Sequence, residues 1–167
     1  QVLVSPDGGR LFVPSLQHNN ARGLWRDGEA LTFEEVVRAA VSVVDLADGS
    51  SDSIDDRKLF DDQDRASAAA FTPRGNYLYV AHPGTGTIQR IDAWTFDTAG
   101  SILEAGSFIT DLEVSADGGV LYVHAWLDRA VRAYDITEIS LGASELWRTT
   151  TVAVEPLSDE VLLGKRI

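Results

Sequence analysis

One phrase is written three times in this chain of 167 residues: "SPDGGRLFV" (5–13), "TPRGNYLYV" (72–80) and "SADGGVLYV" (115–123). The residues just ahead of each copy, Val4, Phe71 and Val114, are 67 and 43 positions apart. The second interval is the length of one four-stranded propeller blade, about 40 to 45 residues, and the first is one blade plus roughly two dozen residues. A repeat of that period narrows the folds open to the chain. Each unit is too small to bury its own apolar face, so successive units must stack to make a core.

The first half of the phrase spells a turn. Ser5, Pro6, Asp7 and Gly8 suit the four positions of a type I turn: a capping hydroxyl, a ring that presets φ, and a glycine where the chain leaves with positive φ. Thr72-Pro73-Arg74-Gly75 and Ser115-Ala116-Asp117-Gly118 repeat it. The second half spells a strand. Leu11-Phe12-Val13, Leu78-Tyr79-Val80 and Leu121-Tyr122-Val123 are unbroken apolar runs, as expected of strands covered on both faces. A further strand follows in each copy, "VSVVDL" (41–46), "TIQRID" (87–92) and "AVRAYD" (130–135), with Asp45, Asp92 and Asp135 placed to close the next turn through their own side chains.

From Pro73 to Asp92 and from Ala116 to Asp135 is 19 residues, but from Pro6 to Asp45 is 39. The first unit therefore carries an insertion, at about residues 17–40, between its second and third strands. Thr32 and Glu35 have capping-box spacing ahead of Val36 and Val37, which predicts a short helix there. The fold expected is all-β: a partial β-propeller of about three four-stranded antiparallel blades (1–65, 66–108 and 109–155), the first lacking most of its first strand, with the helical insertion in that blade and the start of a helix after residue 155. Rings of this kind hold roughly four to eight blades. Three should not close alone, and apolar outer faces would be left for absent neighbours.

The three phrases, each followed by a strand ending in Asp, resemble the YVTN-type β-propeller repeat over about residues 1–155. The last stretch, "PLSDEVLLGKRI" (156–167), leaves the repeat, with Ser158 placed as N-cap, Asp159 and Glu160 in the first turn and Lys165 and Arg166 in the last. It looks like the opening helix of cytochrome c peroxidase-like (di-haem) domains, in which a similar Leu-Ser-x-x-x-x-x-Gly-Lys stretch precedes the first C-x-x-C-H motif. An ordinary amphipathic helix is the alternative. The insertion, with "HNNARGLWRDG" and "VRAAVSVVDL", also looks like propellers fused to such domains. The resemblance implies a non-catalytic scaffold and interaction segment of a larger periplasmic or exported protein. Its partners would be the remaining blades and a C-terminal haem domain, which would carry haem c and the electron-transfer or peroxidase-type chemistry.

Composition excludes some functions. With 14 basic against 26 acidic residues, net −12, a nucleic-acid partner is not expected, because phosphate binding needs clustered Lys and Arg. The chain has no cysteine, so it can hold neither a disulfide, nor a zinc thiolate cluster, nor covalent haem. No apolar run approaches the ~18 residues of a membrane span, and no targeting signal follows Gln1. No cofactor or metal is expected within the segment.

His18, His82 and His124 are the candidates for metal or catalytic work. His82 and His124 fall where the second strand leaves its blade, but one repeat position apart, so they should point to opposite sides. With Asp111 they are the residues an enzyme of lactonase type, which shares YVTN-like blades, could use; with Trp126 they are candidate channel-face or interaction residues. A ligand-binding propeller is the third possibility. The acidic run 48–64 offers Asp48, Ser50, Asp52 and Asp56 to calcium but has Ser53 and Leu59 where a loop of EF-hand type needs Gly and Glu. "GTGT" (84–87) lacks the third Gly and the Lys of phosphate loops and reads as a hairpin. Trp25, Trp94, Trp126 and Trp147 suit packing or a lid better than base stacking.

Overall fold

Each copy of the phrase becomes a turn feeding the second strand of a sheet. The computed structural model describes residues 1–17, 37–50, 57–139 and 142–166. Sheet A holds β1 (Leu3–Val4), β2 (Arg10–Gln17), β3 (Arg38–Asp45) and β4 (Lys58–Phe60). Sheet B holds β5 (Ala68–Phe71), β6 (Tyr77–His82), β7 (Thr87–Asp92) and β8 (Thr98–Ile102). Sheet C holds β9 (Ile109–Val114), β10 (Val120–Ala125), β11 (Ala130–Asp135) and β12 (Ser144–Thr150). All three are antiparallel meanders with the strands in chain order. A helix, α1 (Asp159–Arg166), follows, with Ser158 ahead of it accepting the Leu162 amide at 2.9 Å and Asp159 and Glu160 in its first turn. The insertion's expected helix, with His18, Trp25, Thr32 and Glu35, and the part of the acidic run holding Asp52 and Asp56, lie outside the described residues.

The turns form as spelled. The amides of Gly8, Gly75 and Gly118 donate to the carbonyls of Ser5, Thr72 and Ser115, each at 2.8 Å. Ser5 Oγ and Ser115 Oγ then accept the amides of Arg10 and Val120 at 2.9 Å, while donating to Asp7 and Asp117. In the second copy, where Arg74 stands in place of Asp, the Thr72 hydroxyl instead donates to Asn76 Oδ1 at 2.8 Å. At the next corner, Asp45, Asp92 and Asp135 accept the amides of Ala47, Trp94 and Thr137 at 2.7, 2.8 and 3.0 Å.

Register decides which face each side chain takes. Phe12 pairs with Val43 and faces sheet B, where it packs edge-on against Phe71 at 4.9 Å. Its repeat equivalent Tyr79 lies in the core shared with sheet C, beside Ile88, Leu121 and Val123. Leu78 and Val80, one residue to either side of Tyr79, turn the opposite way into the core shared with sheet A. Sheet B is therefore covered on both faces, and β6 is buried from Leu78 to His82. In sheet C only Leu121, Val123 and Ala125 of β10 are buried; Val120, Tyr122 and His124 occupy the open face. The alternation in β10 and the unbroken burial in β6 arise from similar sequences in different places. Each large apolar side chain buried between sheets contributes about 1.5–3 kcal/mol.

The two ends of the sheets differ. At one lie the Ser/Thr-Pro-type turns and the Asp-closed corners, joined by backbone bonds such as Ala93 N to Asn76 O and Ile136 N to Gly119 O, both 3.0 Å. At the other lie the β6–β7 turn (83–86), the β8–β9 connection (103–108) and the β10–β11 turn (126–129), joined by Ala105 N to Gly86 O at 2.8 Å and Leu127 N to Ser107 O at 3.2 Å. The run 84–87 is thus the hairpin loop expected of it, with Thr87 opening β7.

Candidate functional site

The second end holds a cleft of about 510 Å³ between the loops of sheets B and C. Glycine lets the loops approach. A Cβ on Gly86 would stand 2.9 Å from the Gly106 carbonyl oxygen, and one on Gly106 would stand 2.5 Å from Ala125 Cβ. Three non-glycine residues at the same end, Glu104, Phe108 and Arg129, hold positive φ of 55°, 55° and 53°. Such conformations cost about 1–3 kcal/mol each, and the surrounding structure must hold them. Here Phe108 O accepts the Trp126 amide at 3.1 Å and Trp126 O accepts the Arg129 amide at 3.2 Å.

Arg132, on β11, reaches into the cleft and is fixed from several sides. Its Nη2 donates to Asp128 Oδ2 at 2.6 Å, and its Nη1 donates to Glu104 O at 3.3 Å and the Tyr134 hydroxyl at 3.4 Å. Asp128 Oδ2 also accepts the Ser107 amide at 3.0 Å, so this pair ties two connections together. Burial works against the guanidinium charge, but the Tyr134 hydroxyl and the Asp128 and Glu145 carboxylates outweigh it and hold the group charged. Burial in turn pushes the Tyr134 phenol up. Lys165, from α1, completes the lining. Nothing in the spacing of the sequence foretold the meeting of Arg132, Asp128 and Lys165; the signal that could have found it is the pair Gly86 and Gly106, glycines outside the repeated phrase.

The residues singled out from sequence do not form one cluster. His82 is fully buried between sheets A and B, its ring 4.7 Å from that of Phe60. Its Nδ1–H donates to Arg65 O at 3.0 Å, its Nε2 has no partner among the described residues, and burial lowers its pKa. His124 lies on the open face of sheet C, directly across from Asp111, and its Nδ1 is 2.8 Å from Thr110 Oγ1. His124 and Asp111 therefore share a face, and His82 is on another. Trp126 is 40% exposed at the cleft end, its ring tilted at 58° to that of Phe108 at 5.7 Å, with the Arg129 guanidinium 5.0 Å and Lys165 Nζ 5.8 Å from its ring. It packs within a cation–aromatic cluster at that end. Trp94 carries the Arg10 guanidinium at 4.2 Å, and Trp147 lies 6.0 Å from Tyr122.

Among the described residues no three His, Asp or Glu side chains gather as metal ligands would, and no helix is long and apolar enough to cross a membrane. The chain matches no family model and no curated protein. It is similar to solved structures. Hydrazine synthase of Kuenenia stuttgartiensis aligns over 83% of this chain and 45% of its own, at TM-score 0.65 and 17% identity. U3-55K aligns over 89% and 38%, at 0.60 and 12%. The β-propeller domain of Cps50 (Swd1) from Myceliophteria thermophila aligns over 96% and 41%, at 0.59 and 14%. The chain spans less than half the length of each. At such identities the likeness is one of fold: these sheets form part of a β-propeller.

Proposed function

We propose that this segment is a non-catalytic β-propeller scaffold within a larger exported protein, in which a cytochrome c-like di-haem domain following α1 carries electron transfer. The observation that supports it most is the open face of sheet C. Tyr122 stands there at the repeat position that Phe12 and Tyr79 fill inside the two sheet-to-sheet cores, so the face has the form of a blade interface awaiting its neighbour. Fold alone does not assign activity. What supports the haem domain is the "LSDEVLLGK" resemblance, on a stretch that is helical from Asp159.

The residues present do not themselves fit covalent haem. The chain has no cysteine, and its described histidines are engaged singly, His82 with the Arg65 carbonyl and His124 with Thr110. Haem would belong to the following domain, and this segment would position it. Reading the complete coding sequence tests this, with a haem absorbance spectrum of the full-length product. A C-x-x-C-H within about a hundred residues of Ile167 and a haem c spectrum are expected. A coding sequence without the motif overturns the haem assignment.

A further inference from the structure

We propose that the cleft between the loops of sheets B and C binds a small organic anion, a carboxylate joined to a flat apolar group. The chain is acidic overall, net −12, yet Arg65, Arg129, Arg132 and Lys165 gather at this end. Arg129 is neutralised by Glu155 at 3.2 Å and Arg132 by Asp128 at 2.6 Å. Arg65 and Lys165 have no carboxylate within ion-pair distance among the described residues; they rest on aromatic rings instead, Arg65 at 5.4 Å from Phe108 and Lys165 at 5.8 Å from Trp126. One cation without a paired carboxylate among the described residues, Lys165, therefore lines a formed cavity, and a second, Arg65, stands beside its Phe108 wall.

The cavity suits a carboxylate better than a phosphate. Phosphate loops present a row of free amides, but here the Gly84 amide is taken by Asp64 Oδ2 at 2.9 Å and the Ser107 amide by Asp128. Phe108, 37% exposed, lines the same cavity and offers an apolar edge to a flat group. The Asp128 carboxylate does not repel a ligand as a free one would, because Arg132 and the Ser107 amide already neutralise it. Glu104, the other acid of the lining, opposes the ligand. The Arg132–Asp128 pair and the backbone bonds from Ala105 to Gly86 and from Leu127 to Ser107 keep the cavity formed without a ligand, which lowers the ordering cost of binding.

Calorimetric titration of the full-length protein with benzoate tests the proposal, with benzamide and inorganic phosphate as comparison probes. Saturable benzoate binding with Kd on the order of 1 mM is expected for a ligand of this size, with weaker binding of both comparison probes. Lys165→Gln should weaken benzoate about tenfold, the loss of one charge-assisted contact. Glu104→Gln should tighten it, and Arg74→Gln, at the opposite end, should leave it unchanged. Because the two cleft variants act in opposite directions, a general loss of folding cannot imitate the pattern. Absence of benzoate binding, equal binding of benzamide or phosphate, or a Glu104→Gln variant that binds no better overturns the proposal. These results are independent of whether haem follows.

Discussion

Pro6 lies against Gly75: a Cβ added to Gly75 would stand 3.1 Å from Pro6 Cδ. Pro73 stands in the same relation to Gly118, at 3.4 Å from Cδ. Each proline is the second residue of a repeated turn, and each glycine is the fourth residue of the turn in the next sheet. The proline thus presets φ in its own turn and also packs the following one. This separates two costs that a single glycine substitution would mix. Gly8, at φ +75°, has nothing within 4 Å of its Cβ position, so Gly8→Ala bears the left-handed conformation alone, about 1–2 kcal/mol. Gly75→Ala, at φ +72°, adds the clash with Pro6 and should cost more, the difference being removed by Pro6→Ala. Urea unfolding of the single and double variants measures both terms.

Tyr79 and Tyr122 share a repeat position but not an environment. Tyr79→Ala empties a buried site between sheets B and C and should cost about 3–5 kcal/mol. Tyr122→Ala in the 167-residue chain should cost much less, under about 1 kcal/mol, because among the described residues no sheet covers its ring, which lies 6.0 Å from that of Trp147. Denaturant midpoints with unchanged slopes check the contrast.

His82 ties stability to pH. Burial lowers its folded-state pKa while the Arg65 carbonyl holds the Nδ1–H form. Below about pH 6.5 the unfolded chain takes up a proton there more readily than the folded one, so stability falls on acidification through that window and is constant above it. His82→Gln should lower stability at pH 8 and flatten the dependence between pH 6.5 and pH 5. A variant whose profile stays parallel to the parent's would contradict this.

The turn carboxylates act lower on the scale. The Ser5 and Ser115 hydroxyls, with the Gly9 and Gly119 amides, hold Asp7 and Asp117 below the usual carboxylate value; the Thr95 amide does the same for Asp92 and the Thr137 hydroxyl for Asp135. A depressed folded-state pKa gives stability that is complete above about pH 4 and is lost as pH falls through the folded-state values. Asp7→Asn with Asp117→Asn should narrow the gap between stability at pH 6 and at pH 3, measured by thermal unfolding.

The strands and turns were legible because they are local. Asp92 and Asp135 end β7 and β11 where the repeat puts them, and the opposite facing of His82 and His124 follows from their one-residue offset on a strand of period two. The proline–glycine contact between neighbouring turns was not legible, since it joins residues 69 and 45 positions apart that only stacked sheets bring together. The cleft was hidden for the same reason. Arg132, Gly86, Gly106 and Lys165 come from four separate elements, and only the cross-linking backbone bonds of their loops set them around one space. The burial of His82 depended on Phe60 of the preceding sheet, a strand of three residues with no strong pattern of its own.

The central claim is that sheets A, B and C are successive members of one radial series and that the open face of C is covered by the next. Hydroxyl-radical footprinting of the full-length protein, read at Phe12, Tyr79 and Tyr122 by mass spectrometry, tests it most directly. Equal protection of all three rings is predicted, with Tyr122 alone becoming reactive in the 167-residue chain. A Tyr122 that reacts in the full-length protein as readily as an exposed tyrosine would contradict the claim.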